Sequence, residues 1–360
     1  MEVNSTSNII TIFALLMKAK VKILIIRFSS IGDIVLTTPV IRCLQQQLDG
    51  EIELHFLTKN QYKSILTSNP RIKKVYGIDK STNEIIENLK NEQYDYIIDL
   101  HKNLRSKRVT NKLKALSFAF EKLNYQKWLM TTFKINKLPE IHVVERYLNA
   151  VKPLGVKNDG LGLEYYIPEN DVIDLKSLPI THQNGYVSFA IGAQHNTKRL
   201  PIEKMCKILQ QLNMPVVLLG GKEDVEDAEK IKKSVGDLVY IGCGNYNLNQ
   251  SASLVQQSKV LLTHDTGLMH IGAALGVSIV SVWGNTIPAF GMYPYYPKNL
   301  EKFVIIENNE LSCRPCSKIG YDKCPKKHFN CMNGLDDTRI VKEIVRSRES
   351  EEGYERGLPL

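Results

Sequence analysis

Short apolar runs alternate with amphipathic stretches along most of the chain. Lys22-Ile23-Leu24-Ile25-Ile26-Arg27-Phe28 is almost wholly apolar, the mark of a parallel strand covered on both faces. Ser29-Ser30-Ile31-Gly32-Asp33 follows, and a helical pattern runs from there to about residue 48. Ser, Gly and Asp are the residues expected where a strand turns into a capped helix. Further strands are expected at residues 51–57, 74–78 and 94–100, with helices at 61–68, 83–91, 104–116 and 140–151. This alternation predicts βαβ units and a parallel sheet. Residues 156–183 carry scattered Gly, Pro and Asp with weak periodicity, and read as the end of a first domain plus a linker.

The same pattern restarts in the second half. Strands are expected at 186–191, 215–219, 238–241, 260–262, 277–283 and 303–306. Helices are expected from Pro201, through the acidic stretch ending at Val235, at 251–257, after Gly267, and at 338–348, with a frayed polar tail from Glu349. A chain of 360 residues exceeds one typical core, so two α/β domains are expected, 21–175 and 185–348. A disordered N-terminal extension, 1–20, precedes them. Its apolar run, 9–17, is too short to span a bilayer and lacks the basic flank and cleavage site of a secretion signal. Met17 stands directly before the first strand and is a candidate start.

Seven cysteines without a signal sequence point to a reducing cytoplasm rather than a disulfide scaffold. The net charge of +9 is localised. Residues 102–137 hold ten Lys and Arg against one acid, Glu121. One basic face implies an anionic partner, or else a solvated helical face. Nucleic-acid-binding signatures are missing, so an acidic lipid or glycan, met in peripheral contact with a membrane face, ranks above nucleic acid. Lys102, Arg105 and Arg108 are the candidate contacts.

Three constellations can carry chemistry. Asp33 sits at a strand-to-helix turn, where a carboxylate either caps the helix or accepts a proton from an attacking hydroxyl. In the second half, Gln194, Thr197 and Lys198 follow one strand, and Asp265, Thr266 and Gly267 follow another. A lysine beside a helix start suits a diphosphate. Glu223 or Asp224, after two glycines, can accept from ribose hydroxyls. His270 lies one turn beyond Thr266, as a phosphate or sugar contact or as a structural histidine. Neither G-x-G-x-x-G nor a Walker A sequence is present, which weakens nicotinamide and ATPase readings. Cys313-x2-Cys316-x7-Cys324-x6-Cys331, with His328 among them, suits a structural zinc, redox pairing or merely packed thiols.

These motifs resemble glycosyltransferase family 9, the bacterial lipopolysaccharide heptosyltransferases. The resemblance rests on Ser29-Ser30-Ile31-Gly32-Asp33, Lys198-Arg199-Leu200-Pro201, Gly220-Gly221-Lys222-Glu223-Asp224 and Asp265-Thr266-Gly267-Leu268-Met269-His270, in that order. It runs from about residue 21 to 345. It implies a GT-B architecture, two Rossmann-like domains facing across a cleft, and inverting transfer of heptose from ADP-heptose to the inner core of lipid A-linked lipopolysaccharide. It makes Asp33 the general base. Gln194, Thr197, Lys198, Glu223, Asp265, Thr266, Gly267 and His270 become donor ligands, and Ser30 joins Lys102, Arg105 and Arg108 on the acceptor side. No cofactor is obligatory. Leu200 departs from the tryptophan that often precedes the proline. Another nucleotide-sugar donor, a nucleotide-sugar epimerase, and a non-catalytic module binding anionic glycolipid are the alternatives.

Overall fold

The computed structural model describes residues 20–355, with side chains through Glu349. The extension expected at 1–20 lies outside the described residues save for Lys20. The chain divides into two compact units. The first holds residues up to Ser29, Pro39–Glu121 and Glu145–Asp159; the second holds Ser30–Thr38, Lys122–Val144 and the chain from Gly160 on.

The first unit is built on a five-stranded, all-parallel sheet. Its centre is β1 (Lys20–Ile26), between β2 (Glu51–Lys59) and β4 (Tyr96–Asp99), with β3 (Lys74–Ile78) and β5 (Leu116–Ala119) at the edges. Ile23 to Ile26 are fully buried, as a strand covered on both faces must be. Helices α1 (Ile31–Val35) and α2 (Thr38–Gln47) follow β1; α3 (Ile86–Asn91) and α4 (Leu104–Leu113) flank β4 in sequence. Then come α5 (Asn124–Phe133), which belongs to the second unit, and α6 (Val143–Val151).

The second unit carries a six-stranded parallel sheet. In chain order its strands are β6 (Val187–Ala190), β7 (Val216–Leu219), β8 (Val239–Ile241), β9 (Val260–His264), β10 (Ile279–Trp283) and β11 (Phe303–Glu307). Across the sheet they run β11-β10-β9-β6-β7-β8. Its helices are α7 (Ile202–Leu212), α8 (Val225–Val235), α9 (Leu248–Gln256), α10 (Gly267–Ala274), α11 (Asn330–Asn333) and α12 (Asp337–Glu355). The strand order reverses between β6 and β9, which are hydrogen-bonded neighbours. In open α/β sheets such a reversal opens a crevice at the carboxyl ends of the strands.

Some elements differ from expectation. The helix expected from Asp33 to about residue 48 is broken into α1 and α2. Thr37 and Thr38 hydroxyls donate to Ile34 O and Val35 O at 2.7 and 2.8 Å, and Pro39 has no N–H to continue the ladder. Residues 61–68 fold as a 3₁₀ turn, Asn60–Ile65. Strand β5 has no counterpart among the expected strands, and only its first residue falls in the helix expected at 104–116; Lys114, in the left-handed region at φ 55°, ends that helix three residues earlier. The last helix continues past Glu349 to Glu355. Among the described residues no helix is long and apolar enough to cross a membrane.

Candidate functional site

The crevice at the ends of β6 and β9 gathers most of the donor candidates. Register pairs Ala190 with Thr263, so the loops leaving these strands emerge side by side. Lys198 Nζ consequently reaches Asp265 Oδ2 at 2.6 Å and Asp265 O at 3.3 Å. Thr286 donates its hydroxyl to the same carboxylate oxygen at 3.0 Å. The Lys198 and Asp265 side chains are 16% and 12% exposed, so both stay open to a ligand. Thr266 is the N-cap of α10, with extended backbone at φ −138° and ψ 174°. The first amides of α10 therefore point out of the helix beside a lysine, an arrangement that favours an anion.

The turn after β1 meets α10 within the second unit. A Cβ on Gly32 would stand 2.3 Å from His270 Cδ2, and one on Gly267 would stand 2.7 Å from Ile31 Cγ2. Two glycines thus let α1 and α10 touch at backbone distance, which brings Asp33 into the electrostatic surroundings of His270 with Asp265 and Lys198. Ser30 donates its N–H and hydroxyl to Asp33 Oδ2 at 3.1 and 2.9 Å. The carboxylate is thereby oriented, and it remains half-buried rather than sealed.

His270 is buried, and desolvation lowers its pKa to about 4. It is neutral at pH 7 and adds no positive charge for a diphosphate. Its Nδ1 has no hydrogen-bond partner among the described residues. His264, beneath the loop, accepts from Leu200 N–H at 3.0 Å, and burial lowers its pKa to about 3.

Other candidates take different places. The Thr197 N–H and hydroxyl both donate to Tyr321 O, at 3.0 and 2.9 Å, and the hydroxyl accepts from Tyr321 N–H at 2.8 Å. Thr197 is buried and committed to this brace instead of facing a ligand. Gln194 and Glu223 are exposed on their loops. Next to Glu223, Asp224 is buried, accepts from Gly221 N–H at 2.8 Å and pairs with Arg199 at 2.8 Å. Burial raises its pKa against those two partners. Arg199 also donates to Ala193 O at 2.9 and 2.6 Å, so the pair closes the β6 loop onto the β7 loop. Sequence reasoning missed Arg199, Asp224, Thr286 and Tyr321 as supports; only Arg199 and Asp224 stood inside motifs already singled out.

Lys102, Arg105 and Arg108 lie in the first unit, around the start of α4. Asp99 shapes that loop by accepting from His101 N–H, Lys102 N–H and Ser106 Oγ at 2.9, 2.7 and 2.7 Å. Arg105 sits over the Phe28 ring at 5.5 Å, while Lys102 and Arg108 are exposed.

In the cysteine loop, Cys313 Sγ lies 3.8 Å from His328 Nε2, and Cys316 donates to Cys313 O at 3.3 Å. Cys324 is half-buried and Cys331 buried. Among the described residues, the one trio of metal-capable side chains with ligand atoms mutually within 4.8 Å is Glu53, His55 and Glu92 in the first unit. Lys20 pairs with Glu53 at 2.5 Å, and Lys22 and Lys74 pair with Glu92 at 2.9 and 2.8 Å, so cations already neutralise that cluster.

Two parallel-sheet α/β units, with an acid, a lysine and an anion-ready helix start gathered at strand ends, match the GT-B class of glycosyltransferases. The chain belongs to glycosyltransferase family 9 (heptosyltransferase), whose family model matches residues 82–324. Lipopolysaccharide heptosyltransferase 1 of Campylobacter coli is 22% identical over 351 residues, 90% of this chain and 98% of that protein. Lipooligosaccharide heptosyltransferase 2 of Haemophilus ducreyi is 24% identical with the same coverage. The solved structure of E. coli ADP-heptose LPS heptosyltransferase II superposes with a TM-score of 0.71 at 19% identity, over 92% of this chain and 99% of that one.

Proposed function

We propose that the protein transfers a heptose from ADP-heptose to the inner core of lipid A-linked lipopolysaccharide, with inversion at the anomeric carbon. An acceptor hydroxyl attacks that carbon. As the new C–O bond forms, the bond to the diphosphate breaks and its electron pair leaves with ADP. The hydroxyl proton passes to Asp33, already oriented by Ser30. Lys198 and the amides at the start of α10 neutralise the leaving diphosphate. Asp265 then serves the heptose hydroxyls, and exposed Glu223 the ribose. Lys102, Arg105 and Arg108 attract the anionic acceptor. A structural metal in the cysteine loop completes the reading, drawing on the approach of Cys313 to His328.

The observation that carries this proposal is the glycine-mediated contact of α1 with α10, which gathers Asp33, Asp265 and Lys198 around one helix start. The relatives' heptosyltransferase activity supports the choice of sugar. The test is turnover of ADP-heptose, against other nucleotide-sugars, on a lipid A-linked core acceptor. Asp33→Asn should cut turnover at least about 100-fold, the usual scale of a general base, and leave ADP affinity within about twofold. A variant keeping a tenth of wild-type turnover would remove Asp33 from the role of base. Preferred turnover of another donor would overturn heptose transfer alone.

A further inference from the structure

One surface of the second unit is left over from this chemistry. Helix α5 buries none of its ten residues. Its aromatic side chains stand out of the protein, Tyr125 at 66%, Trp128 at 45% and Phe133 at 56% exposure, followed by Ile135 at 47%. They touch one another, with Tyr125 and Trp128 centroids 6.1 Å apart and Trp128 edge-on to Phe133 at 5.2 Å. An exposed aromatic cluster of this kind costs solubility unless something covers it.

The cysteine loop adjoins this helix. Lys134 Nζ donates to Pro315 O at 2.7 Å, and Lys318 Nζ donates to Asn124 O at 3.3 Å. From that loop Ile319 and Tyr321 also stand exposed. Four lysines, Lys318, Lys323, Lys326 and Lys327, are exposed around them, with Asp322 the only acid between Cys313 and Cys331. On the helix side, residues 122–137 hold four lysines and no acid.

We propose that α5 and the cysteine loop together form a docking surface for an anionic lipid bilayer, with Tyr125, Trp128 and Phe133 seated at the headgroup level. The charge selects the occupant. Tyr and Trp with lysines around them match the amphipathic depth profile of a membrane interface, and each surface lysine gains from an acidic leaflet. A protein partner seated on aromatics alone does not need eight lysines with one acid among them. The surface deepens the proposed function, since an acceptor anchored in a membrane is reached from that membrane. Its test does not involve catalysis.

The protein has two tryptophans, and Trp283 is buried, so Trp128 reports on this surface alone. Vesicles of phosphatidylglycerol and phosphatidylcholine are titrated into the full chain without donor. A blue shift of Trp128 emission with co-sedimentation is expected, at least tenfold weaker on pure phosphatidylcholine and weaker again as salt rises. Trp128→Phe should keep binding. The joint change of Tyr125, Trp128 and Phe133 to Ser should lose it, and so should reversal of the four loop lysines to Glu, each variant melting as wild type does. Co-sedimentation without a Trp128 shift overturns the proposal by putting the contact elsewhere, on Arg105 and Arg108 for instance. Equal binding to neutral vesicles, or an aromatic cluster that instead holds two copies of the chain together, overturns it as well. Loss of transfer with vesicle binding intact counts against the enzyme reading only.

Discussion

At the scale of single residues, the site depends on what is missing as much as on what is present. Gly32 has no Cβ, and the His270 ring fills the place where one would be. His270 is buried. Gly32→Ala must therefore push α1 off α10 and carry Asp33 with it. Overpacking of this kind costs about 1–3 kcal/mol. We expect a lower melting temperature and a fall in transfer of more than about tenfold, in line with the rate cost of misplaced groups. Measured kcat/KM near wild type would show that this contact does not position the acid. The placement of Asp33, Lys198 and Asp265 at strand ends was legible in the sequence because strand-to-helix turns announce themselves locally. Thr197 was not, since its partner Tyr321 comes from a loop more than a hundred residues later.

At the scale of elements, the polar pattern marked most strands but misjudged interruptions. Strand β5 was hidden because Leu116, three residues after Leu113, continues the apolar spacing of α4, and only the left-handed Lys114 separates helix from strand. The cysteine loop was visible as a motif, yet its placement was not. It ties to the donor side through Thr197 and Tyr321, through Cys316 N–H to Asn285 O at 3.0 Å, and through Gly320, where an added Cβ would meet His195 Cβ at 2.5 Å. A metal that orders this loop would therefore also steady Lys198. Elemental analysis of anaerobically purified protein should find zinc or iron near one equivalent. Cys313→Ser with Cys324→Ser should lower both metal content and ADP affinity. Protein free of both metals would end the metal reading while leaving the hydrogen-bonded brace intact.

At the scale of the whole molecule, the two parallel sheets followed from the near-continuous apolar strands, whereas the assignment of Ser30–Thr38 to the second unit has no local signal. Burial of histidines is a global property of the same kind, and it sets the response to acid. His264 and His270 are held by desolvation at about 3 and about 4, and desolvation also lowers His55 and His182. Each titrates near 6.5 once unfolded. Between pH 6.5 and 4 the unfolded chain binds protons that the folded chain refuses, so stability falls as pH falls. The slope approaches about 1.4 kcal/mol per pH unit for each such histidine. Glu53 and Glu92, whose pKa values lysine partners lower, add to the loss only once pH drops into the range of unfolded glutamate. Asp224, raised by burial, works in the opposite direction there. Between pH 7 and 5 the histidines therefore dominate. Urea midpoints should drop steadily below pH 6.5, and His270→Asn should make that decline shallower whatever it does to stability at pH 7. A midpoint that stays level from pH 7 to 5 would mean that these rings take up protons in the folded state, and that His270 is available as a cation after all.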